Sequence, residues 1–241
     1  MKNRIYFFTG TGNSLKAAKD IAANLPETER IGFVFPIYCW GLPLMVEKFI
    51  KDSHFPKQGD TYFFVVATFG GVAGAALGQA RDILLEKGVN LNYGAKIKMF
   101  ANALFCYNMS KNIEKTTEKS NKRIETLIPN IVNMETNRIP PTNKFWFNIY
   151  KKSIDKIHEF SDDFNLNGDC NSCGICRDCC PAKNITINNG RPEFQSRCEA
   201  CVSCIQHCPK KAINYAQKTQ NRRRYAHPQI TCEEISQFFK S

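Results

Sequence analysis

The stretch FFTGTGNSLKAA, Phe7 to Ala18, passes from an apolar segment through two threonines and two glycines into an amphipathic pattern. Arg4 to Phe8 is β-branched and aromatic, which predicts a buried strand. Leu15, Ala18, Ile21, Ala22 and Leu25 recur at helical spacing, and Pro26 predicts the stop. The loop between them therefore joins a strand to a helix. Thr9, Thr11 and Ser14 offer hydroxyls beside Asn13, Gly10 and Gly12 let the backbone come close, and the first helical amides point outward at the positive end of the dipole. Such a turn suits a phosphate; the competing reading is a Thr/Ser/Asn-rich helix cap that binds nothing. Neither the G-x-x-x-x-G-K-[ST] loop of nucleotide triphosphate sites nor the G-x-G-x-x-G dinucleotide turn is present.

Two further strands carry the reading outward. Ile31 to Phe35 leads into PIYCWGLP, and Thr61 to Ala67 leads into TFGGVAG, so each strand ends in a glycine-bearing aromatic loop. In an open α/β sheet such loops gather round the ligand crevice at the carboxyl ends of the strands. TGTGNS resembles the FMN phosphate loop of flavodoxins, and the two later loops resemble the second and third flavin-contacting loops of flavodoxin-like domains, over Met1 to Asn108. The resemblance implies FMN held by Thr9, Gly10, Thr11, Gly12, Asn13, Ser14, Pro36, Tyr38, Trp40, Gly41, Thr68, Phe69, Gly70 and Gly71. Tyr38, Trp40 and Phe69 would give the ring its apolar walls. Lys98 to Asn102 looks like the M-P-x-N-Y segment of flavodoxin-type domains fused to ferredoxins and adds Asn102, with Phe100 and Ala103 standing where that segment has Pro and Tyr.

A flavodoxin-like sheet ordered 2-1-3-4-5 needs a second strand before Ile31, yet only Pro26 to Arg30 separates the first helix from that strand. The second strand is expected to be missing, leaving four parallel strands with the first at an edge that something must cover. Lys111 to Met134 predicts one helix broken near Pro129, and the aromatic stripe from Phe145 to Phe160 predicts a core or interdomain face.

Of the twelve cysteines, ten lie beyond Asp169, which marks a domain boundary. From Cys170 the chain reads CNSCGICRDCCP and from Cys198 CEACVSCIQHCP; both fit C-x2-C-x2-C-x3-C-P, 28 residues apart, an internal duplication. Three thiolates of one tight loop reach three corners of a cube, while the fourth cysteine and its proline lead away toward the other half. The pattern resembles bacterial two-cluster ferredoxins over Asp169 to about Ala216. The resemblance implies one [4Fe–4S] cluster on Cys170, Cys173, Cys176 and Cys208 and another on Cys198, Cys201, Cys204 and Cys180. Zinc also takes C-x2-C pairs, but a structural zinc does not explain two matching four-cysteine runs ending in Cys-Pro. Cys39, Cys106, Cys179 and Cys232 are expected to be packed thiols, and His207 either loop filler or a hydrogen-bond donor to a cluster sulfur.

Taken together, the expected architecture is α/β: a flavodoxin-like FMN-binding domain over 1–165, a small α+β two-cluster ferredoxin domain over 166–217 and a basic tail over 218–241, as in flavodoxin–ferredoxin fusion proteins of anaerobic bacteria. The chain has 241 residues and a formal charge of +11. Two clusters and a flavin phosphate, each near −2 with its ligands, would bring that to roughly +5, so the basicity argues weakly for nucleic acid, whose case rests otherwise on Arg222 to Arg224. The residues before Thr9 are too few for an export signal or a membrane span, so a cytoplasmic protein is expected. No Ser-His-Asp, zinc-His or paired-carboxylate signature marks a catalytic residue. The function expected is relay of low-potential electrons between FMN, two clusters and a redox partner, acidic in kind; the alternative is an FMN-dependent reductase of a small substrate fed by the clusters. The exposed edge favours a homodimer, and the tail, with its RYxHP segment, reads as a solvated tail, a surface for that partner, or the best candidate within the chain to cover that edge.

Overall fold

The computed structural model describes residues 3–56, 59, 61–106, 109 and 112–239. Two compact units divide the chain: residues 1–8, 14–100 and 112–154 form the first, and residues 9–13, 101–111 and 155–241 the second.

The first unit is a four-stranded parallel sheet with strands β1 (Arg4–Phe7), β2 (Arg30–Pro36), β3 (Tyr62–Phe69) and β4 (Tyr93–Lys98) in that spatial order. Because the chain goes straight from helix α1 (Asn13–Asn24) to β2, β1 has a single neighbour and lies at the edge, as the short Pro26–Arg30 connection predicts. β2 and β3 are continuous apolar runs because helices cover both faces of a parallel sheet. On one face Val34, Phe64, Val66 and Ile97 pack with Ala17 and Ile21 of α1 and with Ile124, Leu127 and Ile131 of α4 (Ile113–Val132). On the other, Tyr6 meets Phe49 of α2 (Leu44–Asp52) at 4.8 Å between ring centroids, and Phe55 sets its ring edgewise to Phe33 and Phe63. Helix α3 (Ala76–Glu86) joins β3 to β4.

The expected break in α4 does not occur: the helix runs through Pro129. The proline stands in the last turn, so few bonds are lost, and buried Leu127 and Ile131 hold the turn to the core. Its end is capped from the sheet, the buried Arg30 guanidinium donating to the carbonyls of Ile131 (3.2 Å) and Val132 (2.7 Å). Helix α5 (Lys144–Ile154) follows, carrying the first half of the aromatic stripe.

In the second unit the 28-residue repeat reappears as geometry. Helix α6 (Ile175–Asp178) matches α7 (Ser203–Gln206), and strand β6 (Ile185–Asn188) matches β8 (Ile213–Tyr215). The left-handed residues repeat too: Ser172 with Ala200, Gly174 with Val202, Lys183 with Lys211. Each half closes an antiparallel pair, β5 (Phe164–Leu166) with β8 and β6 with β7 (Arg191–Phe194). Between them Phe160 stacks on Tyr215 at 4.5 Å and Phe164 meets Phe194 edgewise. Helix α8 (Cys232–Gln237) ends the described chain.

Gly32 on β2 sits directly across from Phe64, whose ring occupies the space a Cβ would need, with Cζ only 2.1 Å away. Gly32→Ala is expected to destabilise the protein by about 1–3 kcal/mol through overpacking. This would read as a lower urea midpoint at unchanged slope; an unmoved midpoint would refute the close packing.

Candidate functional site

Two cysteine quartets dominate the second unit. Cys170, Cys173, Cys176 and Cys208 line one pocket of about 360 Å³, its open mouth included, walled by Ile175, Ile187, Pro192 and Ile213. Cys180, Cys198, Cys201 and Cys204 line a second of about 330 Å³, walled by Phe164, Ile185 and Phe194. Each pocket thus takes three sulfurs from one run and the fourth from the other. The fourth sulfurs are equivalently held, Cys180 accepting from the Asn184 amide at 3.3 Å and Cys208 from the Ala212 amide at 3.2 Å. The left-handed residues between the cysteines turn the backbone so that successive sulfurs face inward. Among the described residues no three such side chains close on a point tightly enough for a single metal ion.

Burial pushes the Cys201 and Cys204 thiols well above their ordinary range and raises Cys176 and Cys198 to about 11. The neighbouring sulfurs of each pocket add to this, since a second thiolate beside the first is repelled. These pockets can hold thiolates only around a cationic centre.

Residues 9–13 belong to this same unit. A Cβ on Gly10 would lie 2.6 Å from the Cys201 carbonyl oxygen, and the Gly10 carbonyl accepts from His207 Nε2 at 3.3 Å. Gly12 has φ +92° and could carry no side chain without striking Ile230 and His227. Its amide donates to Thr9 Oγ1 at 3.2 Å, folding the turn on itself. Asn102 donates to Thr11 Oγ1, which draws two of the expected flavin residues together. Gln206 ties the arrangement, donating to the Asn102 carbonyl at 2.8 Å and accepting from the Tyr225 amide at 2.7 Å.

The tail is built into this unit. The Tyr225 hydroxyl donates to Asn13 Oδ1 at 2.7 Å and the His227 amide to the Thr11 carbonyl at 2.8 Å. Arg222 donates to the Leu104 carbonyl, and Arg224 to Asn214 Oδ1 at 2.7 Å. Tyr225, His227, Ile230 and Ile235 are buried, so the solvated-tail reading is wrong: apolar residues spaced along it find a core. Gln206 was not singled out from the sequence, and Tyr225 and His227 stood out only as part of the RYxHP segment, because the partners of these residues lie up to 212 residues away.

The remaining expected residues lie in the first unit. Tyr38 and Gly41 exchange backbone hydrogen bonds at 3.0 and 2.8 Å across Cys39 and Trp40, both left-handed, as a tight two-residue turn demands. Pro36 ends β2. Ser14 and Thr68 set their hydroxyl oxygens 2.9 Å apart, both buried. Phe69 ends β3, and Gly70 and Gly71 follow it. Trp40 stacks with Trp146 of α5 at 6.2 Å, so part of the aromatic stripe serves this loop. Cys39 points its thiol to the Ser153 carbonyl at 3.7 Å.

No family model matches the chain. It is 44% identical over 48 residues to an uncharacterized polyferredoxin-like protein of Methanocaldococcus jannaschii. That match covers 20% of this chain and 21% of the relative. The likeness and the clustered cysteines together point to a ferredoxin-like, iron–sulfur part. Among the described residues no helix is long and apolar enough to cross a membrane.

Removing the Tyr225 hydroxyl takes away its 2.7 Å bond to the buried Asn13. Tyr225→Phe is expected to weaken the tail's attachment by about 1 kcal/mol, speeding tryptic cleavage at Arg222 to Arg224 roughly fivefold. An unchanged cleavage rate would mean that the tail is held by other means.

Proposed function

We propose that this protein carries electrons, with two [4Fe–4S] clusters in the cysteine pockets and FMN at the β1–α1 turn, passing them to a redox protein partner. The observation that carries the reading is the crossed grouping of sulfurs, three from one run and the fourth from the other, in each of two matching pockets. A structural zinc draws four ligands onto one point at about 2.3 Å and gives no reason for two matching four-cysteine runs that each end in Cys-Pro. Clusters pass single electrons, and flavin takes one or two.

The chain's own part is to hold and insulate these groups. Cys170, Cys173, Cys176 and Cys208 would bind one cluster, and Cys180, Cys198, Cys201 and Cys204 the other, with amides such as those of Asn184, Ala200 and Ala212 donating to sulfur. The donor set of the turn fits a phosphate: Thr9, Thr11 and Ser14 bring hydroxyls, and no acidic side chain lies between Arg4 and Lys19. Pro36 to Gly41, Thr68 to Gly71 and Asn102 would meet the rest of the flavin.

Anaerobic purification should yield about eight irons and eight sulfides per chain and FMN; about two zincs without sulfide, or FAD in place of FMN, would overturn the corresponding part. Cys208→Ser should damage the cluster of Cys170, Cys173 and Cys176, and loss confined to the other cluster would refute the crossing. Thr11→Ala or Ser14→Ala should weaken FMN binding roughly 10- to 150-fold, a hydrogen bond to a charged group contributing about 1.5–3 kcal/mol. Flavin retention equal to the parent's would remove those hydroxyls from the site.

A further inference from the structure

Arg224 carries its charge into the second unit. Its Nη2 donates to the Ile213 carbonyl at 3.1 Å and to Asn214 Oδ1 at 2.7 Å, both on β8. The chain beside it is pinned too, the Tyr225 amide donating to Gln206 Oε1 at 2.7 Å, at the end of the helix that carries Cys204. Nε and Nη1 of the same guanidinium are buried and have no hydrogen-bond partner among the described residues. None of the ion pairs among those residues includes Arg224. An arginine stays charged at any ordinary pH, and a charge withdrawn from water without a counter-ion is costly. Something anionic has to answer it.

The wall that Arg224 grips identifies the anion. Ala212 and Ile213 line the pocket of Cys170, Cys173, Cys176 and Cys208. The Ala212 amide donates to Cys208 Sγ at 3.2 Å, and Asn214 Nδ2 reaches back to the carbonyls of Lys211 and Ala212 at 3.1 and 3.4 Å. Arg224 therefore holds, through Ile213 and Asn214, the short segment 211–214 that closes this pocket. The other half differs. There Arg197 donates to the Lys183 carbonyl at 2.7 Å but stays in solvent, which screens its charge, and buried Glu199 is among the residues that line the pocket.

We propose that the Arg224 guanidinium is the counter-charge of the cluster held by Cys170, Cys173, Cys176 and Cys208, and makes that cluster the easier of the two to reduce. The proposal rests on the two-cluster reading. A cluster with its thiolates carries about −2 and gains one more negative charge with each electron. A fixed cation that no carboxylate neutralises favours the reduced form. Electrons shared between the clusters then settle on the one that the tail grips.

The test is a redox titration of the anaerobically purified full-length protein, followed by electron paramagnetic resonance, with iron and sulfide measured on the same samples. Two midpoints are expected. Arg224→Gln should make the more easily reduced cluster roughly tenfold less reduced at a fixed potential, about 59 mV for one electron, and leave the other in place. Arg224→Lys, which keeps the charge, should retain most of the parent's value. Cys208→Ser identifies the cluster: the midpoint that survives should be the lower one, and adding Arg224→Gln should not move it. A single shared midpoint in the parent, an unmoved higher midpoint, equal shifts of both midpoints, or equal shifts in the Gln and Lys variants would overturn the proposal and leave the two clusters standing. If Arg224→Gln loses iron, retention by Arg224→Lys still assigns the effect to charge, and loss from both assigns Arg224 to packing and overturns it. A parent without iron and sulfide overturns the two-cluster reading and this proposal with it.

Discussion

Buried sulfur is the constraint from which the second unit follows. Four thiols crowded into an apolar pocket resist ionisation twice over, through lost hydration and through mutual repulsion, as the raised Cys176, Cys198, Cys201 and Cys204 show. Natural cores do not collect unused thiols in fours at matched positions, so the arrangement implies a compensating positive centre. That need explains the left-handed residues at Ser172, Ala200 and Val202, an uncommon backbone state for side-chain-bearing residues, and the glycine at the matching position 174. It also explains why the two halves exchange their fourth cysteine, which locks them into one core.

The TGTGNS turn connects to this core rather than standing apart from it. Residues 9–13 share a compact unit with the cysteine runs, and Gly10 passes so close to the Cys201 carbonyl that only glycine fits. His207, between the ligand-run residues Gln206 and Cys208, reaches the Gly10 carbonyl. Its place next to Cys208 suggested a bond to sulfur or no role; the structure gives it the Gly10 backbone carbonyl.

What was legible in the sequence was whatever depends on spacing. The strand–turn–helix at Phe7 to Ala18, the four parallel strands and the missing second strand all follow from local periodicity and connection length. The repeat of fixed length set out the two four-cysteine runs, and the resemblance to two-cluster ferredoxins implied the crossed grouping in which the two pockets are lined. What escaped was set by distant partners. Trp146 looked like core stripe because Trp40, 106 positions earlier, could not be seen to stack on it. Pro129 looked like a helix breaker because the cap supplied by Arg30 comes from the sheet. The tail looked basic and loose because the buried partners of Tyr225 and His227 lie at the opposite terminus.

The joining of Asn13 to Tyr225 also bears on how the chain reaches this state. The second unit needs both Asn13 and Tyr225, so its assembly cannot finish until the 212 positions between them have been made. The sheet of the first unit pairs neighbours in sequence order and can form early, whereas the cysteine-bearing unit closes a loop of some two hundred residues and pays the entropy of that closure before its contacts reward it. During synthesis the turn at Thr9 to Asn13 therefore waits until Tyr225 and His227 have been made.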